Sequence, residues 1–278
     1  WFPRGFTPRP QVKVAHLAVD PLWTRYPTRL FPADLAIPGS PRTALRLLAG
    51  ALAEHHIDEG RIAARRKTMA AQREAQRARG EALLGEVRRR KPIAYDYLGA
   101  CIGRALPPGG LVVTELGVSL EQLGLEEPGS LLGVGIGGGL GFGLGASLGA
   151  KLAAPGRTVI ATLGDGSYMF GNPTPFHLVA RAAGLPVLIV VCNNGRWQAV
   201  DSATRRVYPQ GLAAKADVMP LVELQPSPEF TKVAEASDAF ALRVDEPEAL
   251  PGAIEAALEA VAGGRQALLD VRMEHGQR

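Results

Sequence analysis

Two apolar runs in the second half of the chain, residues 158–163 and 186–192, constrain the fold more than any other feature. Both runs are rich in β-branched residues and are bounded by residues that break regular structure, which predicts buried parallel strands. The stretch between them, residues 174–183, has the length of a helix. A strand, a helix and a second strand place Asp165 and Asn194 at the carboxyl ends of two strands of one sheet.

Each run is followed by a polar motif, Gly-Asp-Gly-Ser at residues 164–167 and an asparagine pair at 193–194. Open α/β sheets bind ligands at the edge where such motifs lie. A carboxylate and a carboxamide are hard oxygen ligands suited to Mg²⁺, which itself binds diphosphate oxygens. The glycines let the backbone approach a ligand closely. The sequence therefore predicts a metal and diphosphate site at this edge.

Three rival interpretations of the glycine-rich motifs are weaker. Residues 133–138 fit the G-x-G-x-x-G dinucleotide pattern, but no clear strand precedes them and no acidic residue follows about 20 residues later. A P-loop is excluded because the chain has no Gly-Lys-Ser or Gly-Lys-Thr segment. A simple tight turn at 164–167 and a helix cap at 193–194 would leave their paired placement unexplained.

The two spaced motifs resemble the diphosphate-binding signature of thiamine-diphosphate enzymes. Residues 138–142, Gly-Gly-Leu-Gly-Phe, resemble a segment of the benzoylformate and pyruvate decarboxylases in that family. The resemblance implies thiamine diphosphate and Mg²⁺ as cofactors. It also implies that Gly138, with Gly139 beside it, presents a carbonyl to the aminopyrimidine ring, and that Leu140 wedges between the two rings of the cofactor.

The same resemblance assigns residues to the diphosphate and to the metal. Gly164, Gly166 and Ser167 match positions that contact the diphosphate, while Asp165 and Asn194 match the side-chain ligands of Mg²⁺. Arg196 matches the residue whose backbone carbonyl completes the protein's share of the metal shell. The Arg196 side chain is then expected to be free, in solvent or near the diphosphate. Asn193 is expected to orient the turn.

The substrate pocket is expected at Ala199 and Val200, just after the asparagine pair, with Glu115 at the same sheet edge. Pyruvate-decarboxylase-type enzymes carry a glutamate at the position of Val200, which this chain lacks. An apolar residue there resembles acetolactate synthase and benzoylformate decarboxylase, and favours an apolar pocket or carbon–carbon ligation. A solvated or salt-bridged Glu115 is the alternative. No residue of the chain is assigned as catalytic.

The domain organisation is predicted from changes in composition and periodicity. Residues 1–57, with strands at 11–20 and 34–39 and a helix at 41–57, resemble the last part of the central domain in the acetolactate synthase and benzoylformate decarboxylase group. Because the chain begins at Trp1 inside such a domain, it is expected to be a piece of a longer polypeptide.

The remainder is predicted to be a charged linker and an α/β domain. Residues 58–91 hold eleven Lys or Arg and no module that binds nucleic acid, so we interpret them as a solvated helix. Residues 92–278 alternate strands and helices, which predicts a doubly wound parallel sheet, the thiamine-diphosphate-binding fold. Further strands are predicted at 111–114, 239–244 and 267–271, with a helix at about 247–262.

Composition indicates the cellular compartment in which the protein is expected. The chain is 46% apolar, carries a formal net charge of +4, and has two cysteines without metal-type spacing. These numbers predict a cytoplasmic protein with reduced core thiols. No signal peptide and no apolar 18-residue stretch is present, so neither secretion nor a membrane span is expected.

The resemblance implies a thiamine-diphosphate- and Mg²⁺-dependent carbon–carbon lyase or carboligase that acts on a 2-oxo acid, similar to acetolactate synthase. This chain would supply the diphosphate half of the site. A pyrimidine-binding domain, on another chain or an N-terminal segment, would supply the other half in a homo-oligomer or heteromer. The alternatives are a benzoylformate-type decarboxylase, a nucleotide-binding oxidoreductase and a non-catalytic subunit, and FAD binding is left open.

Overall fold

The structure is a computed structural model, which describes residues 9, 11–25, 33–55, 58–115, 117–134 and 139–275. The chain divides into two compact units, Trp1–Arg73 and Glu74–Arg278. The division falls within a long helix, α2, which runs from Glu59 to Val87. The predicted domain boundaries at residues 57 and 91 stay predictions.

The first unit contains a small parallel sheet. Strands β1 (Ala15–Ala18) and β2 (Leu35–Pro38) pair with Ala15 opposite Leu35. The strand predicted over 11–20 is therefore shorter than expected. A side-chain contact lies at the start of the paired strands β1 and β2: the Asp34 carboxylate accepts the N–H of Val14, just before β1, at 2.8 Å.

Two helices follow this sheet in the sequence. Helix α1 (Pro41–Glu54) begins with a proline, whose missing N–H is not needed in the first turn. The helix predicted over 41–57 therefore ends earlier than expected, since His55 is already extended; residues 56 and 57 lie outside the described residues. Helix α2 is polar along its length, and Val87 is its one buried residue.

The second unit is built on six parallel strands in the order β4-β3-β5-β6-β8-β7. The strands are β3 (Leu111–Thr114), β4 (Leu131–Gly133), β5 (Val159–Gly164), β6 (Leu188–Asn193), β7 (Phe240–Val244) and β8 (Ala267–Arg272). This confirms the predicted α/β fold with a parallel sheet. The apolar runs become the central strands β5 and β6 because helices cover both faces there.

Successive residues of the central strands pack into two separate cores. On β6, Leu188, Val190 and Cys192 belong to one core, while Ile189 and Val191 belong to the other. This alternation is the two-residue period of a strand whose two faces are both buried.

The second unit also contains helices before and between its strands. They are α3 (Tyr95–Ala105), α4 (Leu120–Leu123), α5 (Phe142–Ala153), α6 (Asp165–Phe170), α7 (Pro173–Ala182), α8 (Gln198–Val207), α9 (Leu212–Lys215), α10 (Phe230–Glu235) and α11 (Leu250–Ala262). Buried residues of α3 and α11 join the first core, and those of α5, α7 and α10 join the second.

Two elements beside the motifs were not predicted. Strand β4 has three exposed residues and pairs only with β3, so its sequence carries no burial pattern. Helix α6 begins at Asp165, immediately after β5, where no helix was predicted. No helix in the described part of the chain is both long and apolar enough to cross a membrane.

The close contact between helices α3 and α4 depends on Gly103 of α3. A Cβ at Gly103 would overlap the backbone carbonyl of Leu123, at the end of α4. A second contact nearby is similar, because a Cβ at Gly99 would lie 2.8 Å from the carbonyl oxygen of Ser119. In both places the neighbouring atom is backbone, so it cannot move aside as a flexible side chain would.

Replacing Gly103 by alanine should destabilise the protein. We expect a loss of about 1–3 kcal/mol in the free energy of unfolding, since overpacking outweighs the better helix propensity of alanine. Urea unfolding measures this. The matched control is Gly145→Ala in α5, where a Cβ meets no atom within 4 Å and stability should be kept or raised. Equal stability of Gly103→Ala and the control would contradict the packing argument.

Candidate active site at the sheet edge

The predicted site forms a cavity of about 450 Å³ at the carboxyl ends of β5 and β6. These strands are adjacent and parallel, so the residues that follow them meet at one edge. The cavity lining includes residues 164–167, Leu140, Asn194, Arg196, Ala199 and Val200. The structure therefore brings both predicted motifs and most of the predicted pocket together.

Asp165 joins the turns that follow the two strands. Its Oδ1 accepts the N–H of Gly166 at 2.9 Å, and its Oδ2 accepts the N–H of Gly195 at 2.7 Å. The residue is only 3% exposed. Burial raises the pKa of the carboxyl group, and the two backbone N–H groups act in the opposite direction. Asp165 thus fixes the turn after β6 as well as its own.

Asn194 has both ends of its amide occupied. Its Oδ1 accepts the N–H of Arg196 at 3.1 Å, and its Nδ2 donates to the hydroxyl of Tyr95 at 3.1 Å. Gly195 between them has φ 69°, in the left-handed region that favours glycine. The turn therefore bends sharply enough to direct the amide oxygen back toward the Arg196 backbone.

Asn193 lies beneath this turn and is fully buried. Its Nδ2 donates to Asp270 Oδ1 at 2.8 Å and to the Ser227 hydroxyl at 3.2 Å. Its Oδ1 accepts the N–H of Gly195 at 3.2 Å and a guanidinium N–H of Arg272 at 3.1 Å. These contacts agree with the expectation that Asn193 orients the turn.

The expectation of a free Arg196 side chain is wrong. The guanidinium is 8% exposed and pairs with Glu223 and, at 3.8 Å, with Asp201. Asp201 in turn accepts a hydrogen bond from Arg205 at 2.8 Å. The backbone carbonyl of Arg196, the predicted metal ligand, accepts the N–H of Gln198 at 2.9 Å and has a second lone pair.

Glu115 also differs from the expectation that it faces substrate or solvent. The residue is 3% exposed, and its two carboxylate oxygens accept the N–H groups of Gly141 and Gly143, both at 2.8 Å. These N–H groups belong to the first turn of α5, where a carboxylate is favoured by the helix dipole. Glu115 therefore holds α5 in place and does not line the described cavity.

The glycine-rich segment is described in part. Gly138 and residues 135–137 of the dinucleotide-like pattern lie outside the described residues. Gly139 is described but does not line the cavity, whereas Leu140 lines it and is 41% exposed. Gly141 has φ 83°, which turns the chain into α5 directly beneath Leu140.

Eight of the described residues that line the cavity were not among the predicted site residues, and Tyr95, Cys192 and Trp197 are three of them. Tyr95 comes from α3, outside both motifs, and Cys192 is the buried residue of β6 before the asparagine pair. A Cβ at Gly166 would overlap the ring of Trp197, so the tryptophan packs on this glycine. No sequence signal connects these residues, because their contacts are made only by the fold.

The residues present fit a magnesium ion with a diphosphate. Asp165 is a buried carboxylate that lines the cavity and forms no ion pair with any described Lys or Arg, so it is a hard oxygen ligand available to a cation. Asn194 and the carbonyl of Arg196 add neutral oxygens beside it. No cluster of three His, Cys, Asp or Glu side chains occurs in the described part, so further ligands must come from the diphosphate or water.

The glycine at the end of β5 supports the same fit. A Cβ at Gly164 would meet no protein atom within 4 Å, yet the residue lines the cavity. No protein side chain fills the space beside the Gly164 Cα, so this space is available to a ligand.

A family model matches residues 113–271, more than half of the chain, and is described as the thiamine pyrophosphate enzyme, C-terminal TPP binding domain. The chain belongs to the thiamine pyrophosphate enzymes. The matched residues include both motifs and all strands from the end of β3 to β8. The coarse prediction of family and of thiamine diphosphate as its cofactor is confirmed.

Two solved structures are similar to this thiamine pyrophosphate family member. The thiamine diphosphate-dependent 4-hydroxybenzoylformate decarboxylase of Rhodococcus jostii RHA1 is 27% identical, with a TM-score of 0.58 over 68% of this chain and 34% of that one. The benzoylformate decarboxylase of Polynucleobacter necessarius is 20% identical, with a TM-score of 0.55 over 67% and 34%, and shows the fold alone. This chain spans about a third of each. A comparison with curated proteins gives no match.

A buried hydrogen-bond chain supports α6 from behind the cavity. Gln266 Nε2 donates to the carbonyls of His177 and Ser237, so its Oε1 must accept from His177 Nδ1, at 2.8 Å. The other ring nitrogen, Nε2, then accepts from the Tyr168 hydroxyl of α6, at 2.7 Å. His177 is therefore held neutral, and burial lowers its pKa while the hydrogen bond to Gln266 opposes this. Both ring nitrogens of His177 are occupied by these contacts, so His177 has a structural role.

Stability should depend on pH through His177. Because the folded pKa is lowered, the unfolded chain takes up the proton first as the pH falls below about 6.5, the ordinary value. The free energy of unfolding should then fall by at most about 1.4 kcal/mol per pH unit. Urea unfolding between pH 7.5 and 5.5 measures this for the wild type and for His177→Gln, which should show a flatter profile.

The matched control is His55→Gln, which changes an exposed histidine and should keep the wild-type slope. Other groups that titrate in this range contribute equally to all three proteins, so the difference between profiles isolates His177. Identical slopes in the wild type and His177→Gln would rule out a neutral, buried His177 as the source.

Proposed function

We propose that this chain supplies the diphosphate half of the active site of a thiamine-diphosphate- and Mg²⁺-dependent enzyme that cleaves a 2-oxo acid next to its carbonyl group. The observation that carries the proposal is the cavity at the sheet edge. At one end it presents Asp165, a buried carboxylate without an ion-pair partner among the described residues. Elsewhere it is lined by apolar side chains such as Leu140 and Val200.

In this proposal the metal is held by Asp165, the Asn194 amide oxygen and the Arg196 backbone carbonyl. Backbone N–H groups near Gly164 and Gly166 and the Ser167 hydroxyl face the diphosphate. Charge-assisted hydrogen bonds of this kind contribute about 1.5–3 kcal/mol each. Thiamine diphosphate, when bound, supplies the electron sink for the carbon–carbon step. This chain's residues bind and orient it, and Leu140 keeps its two rings folded together.

The substrate side is apolar in this proposal. Trp197, Ala199 and Val200 line the cavity, and its only described acidic lining residues are Asp96 and Asp165. A 2-oxo acid with an apolar or aromatic side chain suits these walls. The 27% identity to a 4-hydroxybenzoylformate decarboxylase supports decarboxylation as the first candidate.

Acetolactate-synthase-like carboligation is the second candidate. It is favoured by Val200, which places an apolar group at a position where an acid would help to protonate a product. Without such an acid, capture by a second carbonyl compound competes better with protonation. The two candidates share the same diphosphate site and differ in the fate of the substrate carbon.

A partner segment is part of the proposal. This chain spans about a third of the two similar structures, and among its described residues only Gly139 and Leu140 are expected beside the pyrimidine ring. Leu140, Met169 and Phe170 are large apolar side chains exposed near the cavity, and such groups favour contact with another protein surface. A pyrimidine-binding domain, in an oligomer, is the partner we infer.

Two buried free cysteines support a reducing compartment such as the cytoplasm.

Cofactor binding tests the diphosphate site. Calorimetry of thiamine diphosphate, with Mg²⁺ and with EDTA, is carried out on this chain together with any polypeptide that copurifies. We expect Mg²⁺-dependent binding that Asp165→Asn reduces at least about a hundredfold, since one charged metal ligand and its hydrogen bonds are worth several kcal/mol. An unchanged thermal midpoint for the variant separates ligand loss from unfolding. Equal binding with EDTA would overturn the metal assignment.

Gly164→Ala gives an independent probe of the ligand space. Its Cβ would meet no protein atom, and its φ of −70° is open to alanine, so the fold should be kept. The methyl group would instead occupy cavity space, and thiamine diphosphate should bind at least about tenfold more weakly. Gly156→Ala, which also meets no atom but lies outside the cavity lining, is the matched control. Tight binding by Gly164→Ala would place the diphosphate elsewhere.

A further inference from the structure

Tyr95 lies in the cavity although it is far in sequence from both motifs. Its position follows from the sheet, because Ile93 forms an isolated bridge with Met273 just beyond β8, and the Ile93 N–H donates to the Arg272 carbonyl at 3.0 Å. Strand β8 neighbours β6, which ends at the asparagine pair. Helix α3 then begins at Tyr95 itself, with its side chain beside Asn194.

The contact between Tyr95 and Asn194 has a defined direction. The N–H of Arg196 is a donor, so the Asn194 atom that faces it at 3.1 Å is the amide oxygen. The amide nitrogen is therefore turned toward Tyr95 and donates to its hydroxyl oxygen at 3.1 Å. The opposite orientation would set two donors against each other at Arg196.

The phenol suits this task because it stays neutral. A phenol is ordinarily uncharged at neutral pH. A neutral hydroxyl accepts from the amide and adds no charge next to a divalent cation. The amide oxygen keeps one lone pair beyond the one used by Arg196.

We propose that Tyr95 is a positioning residue, which holds the amide nitrogen of Asn194 and so keeps the amide oxygen, whose orientation the Arg196 N–H selects, toward the metal. The inference rests on the proposed function, since it takes Asn194 as a ligand of Mg²⁺. It goes beyond the motif, which contains no residue of α3. Groups that orient a metal ligand from behind change metal affinity without touching the metal.

Tyr95→Phe tests the proposal because it removes the hydroxyl and keeps the ring. Calorimetry of thiamine diphosphate at several Mg²⁺ concentrations, on the chain with its copurifying partner, should give an apparent Mg²⁺ affinity about tenfold weaker than that of the wild type. The matched control is Tyr97→Phe, two residues further along α3, which packs against the same core but does not line the cavity. Thermal unfolding of both variants reports any general loss of stability.

A double-variant cycle separates positioning from a structural role. In Asn194→Asp both side-chain oxygens can bind the metal, so the orientation of the group no longer matters. Adding Tyr95→Phe to Asn194→Asp should therefore change Mg²⁺ affinity much less than Tyr95→Phe does alone. An undiminished effect in the Asn194→Asp background, or wild-type affinity in Tyr95→Phe, would overturn the proposal.

The cycle also distinguishes this inference from the function on which it rests. Absence of Mg²⁺-dependent binding in the wild type itself would overturn the proposed function, and the inference with it. Binding in the wild type that Tyr95→Phe leaves intact would overturn the inference alone.

Discussion

The parallel pairing of β5 with β6 is the interaction on which the site depends. Its register sets Gly164 opposite Cys192, so the chain leaves both strands at the same level of the sheet. The carboxylate of Asp165 then joins the two turns, because one oxygen binds a backbone N–H in each. A slip of one residue would turn every side chain of a strand to the opposite face and would separate the two motifs.

The buried charged groups near the cavity fall into two kinds. Glu115 accepts two backbone N–H groups at the start of α5, and Asp201 pairs with the guanidinium groups of Arg196 and Arg205, although its Oδ2 has no hydrogen-bond partner. Desolvation of these two carboxylates is therefore offset, at least in part, by groups of the same chain. Asp165 and Glu115 both accept backbone N–H groups, but Asp165 alone of the three carboxylates lines the cavity and also lacks a guanidinium partner in the described structure. Its place in the cavity is what makes Asp165 the proposed ligand of a cation.

Local pattern in the sequence was sufficient to predict the central strands β5 and β6 and the edge at which Asp165 and Asn194 meet, because both depend on residues close together in the chain. The helix before β8 and the fold class followed from the same periodicity. The side chains of Glu115 and Arg196 were predicted wrongly, since their partners lie in other segments of the chain. Tyr95 was missed for the same reason: 99 residues separate it from Asn194.

Gly164 and Gly166, the two glycines of the first motif, have different surroundings in the structure. Gly164 faces open space, whereas Gly166 is covered by the ring of Trp197. In the proposed function, the amino acids tolerated at position 164 are therefore limited by the bound thiamine diphosphate. Those tolerated at position 166 are limited by Trp197 of the same chain. During evolution a larger residue at 166 would first require a smaller one at 197. Positions 166 and 197 should consequently drift as a pair, and position 164 should drift only together with the loss of ligand binding.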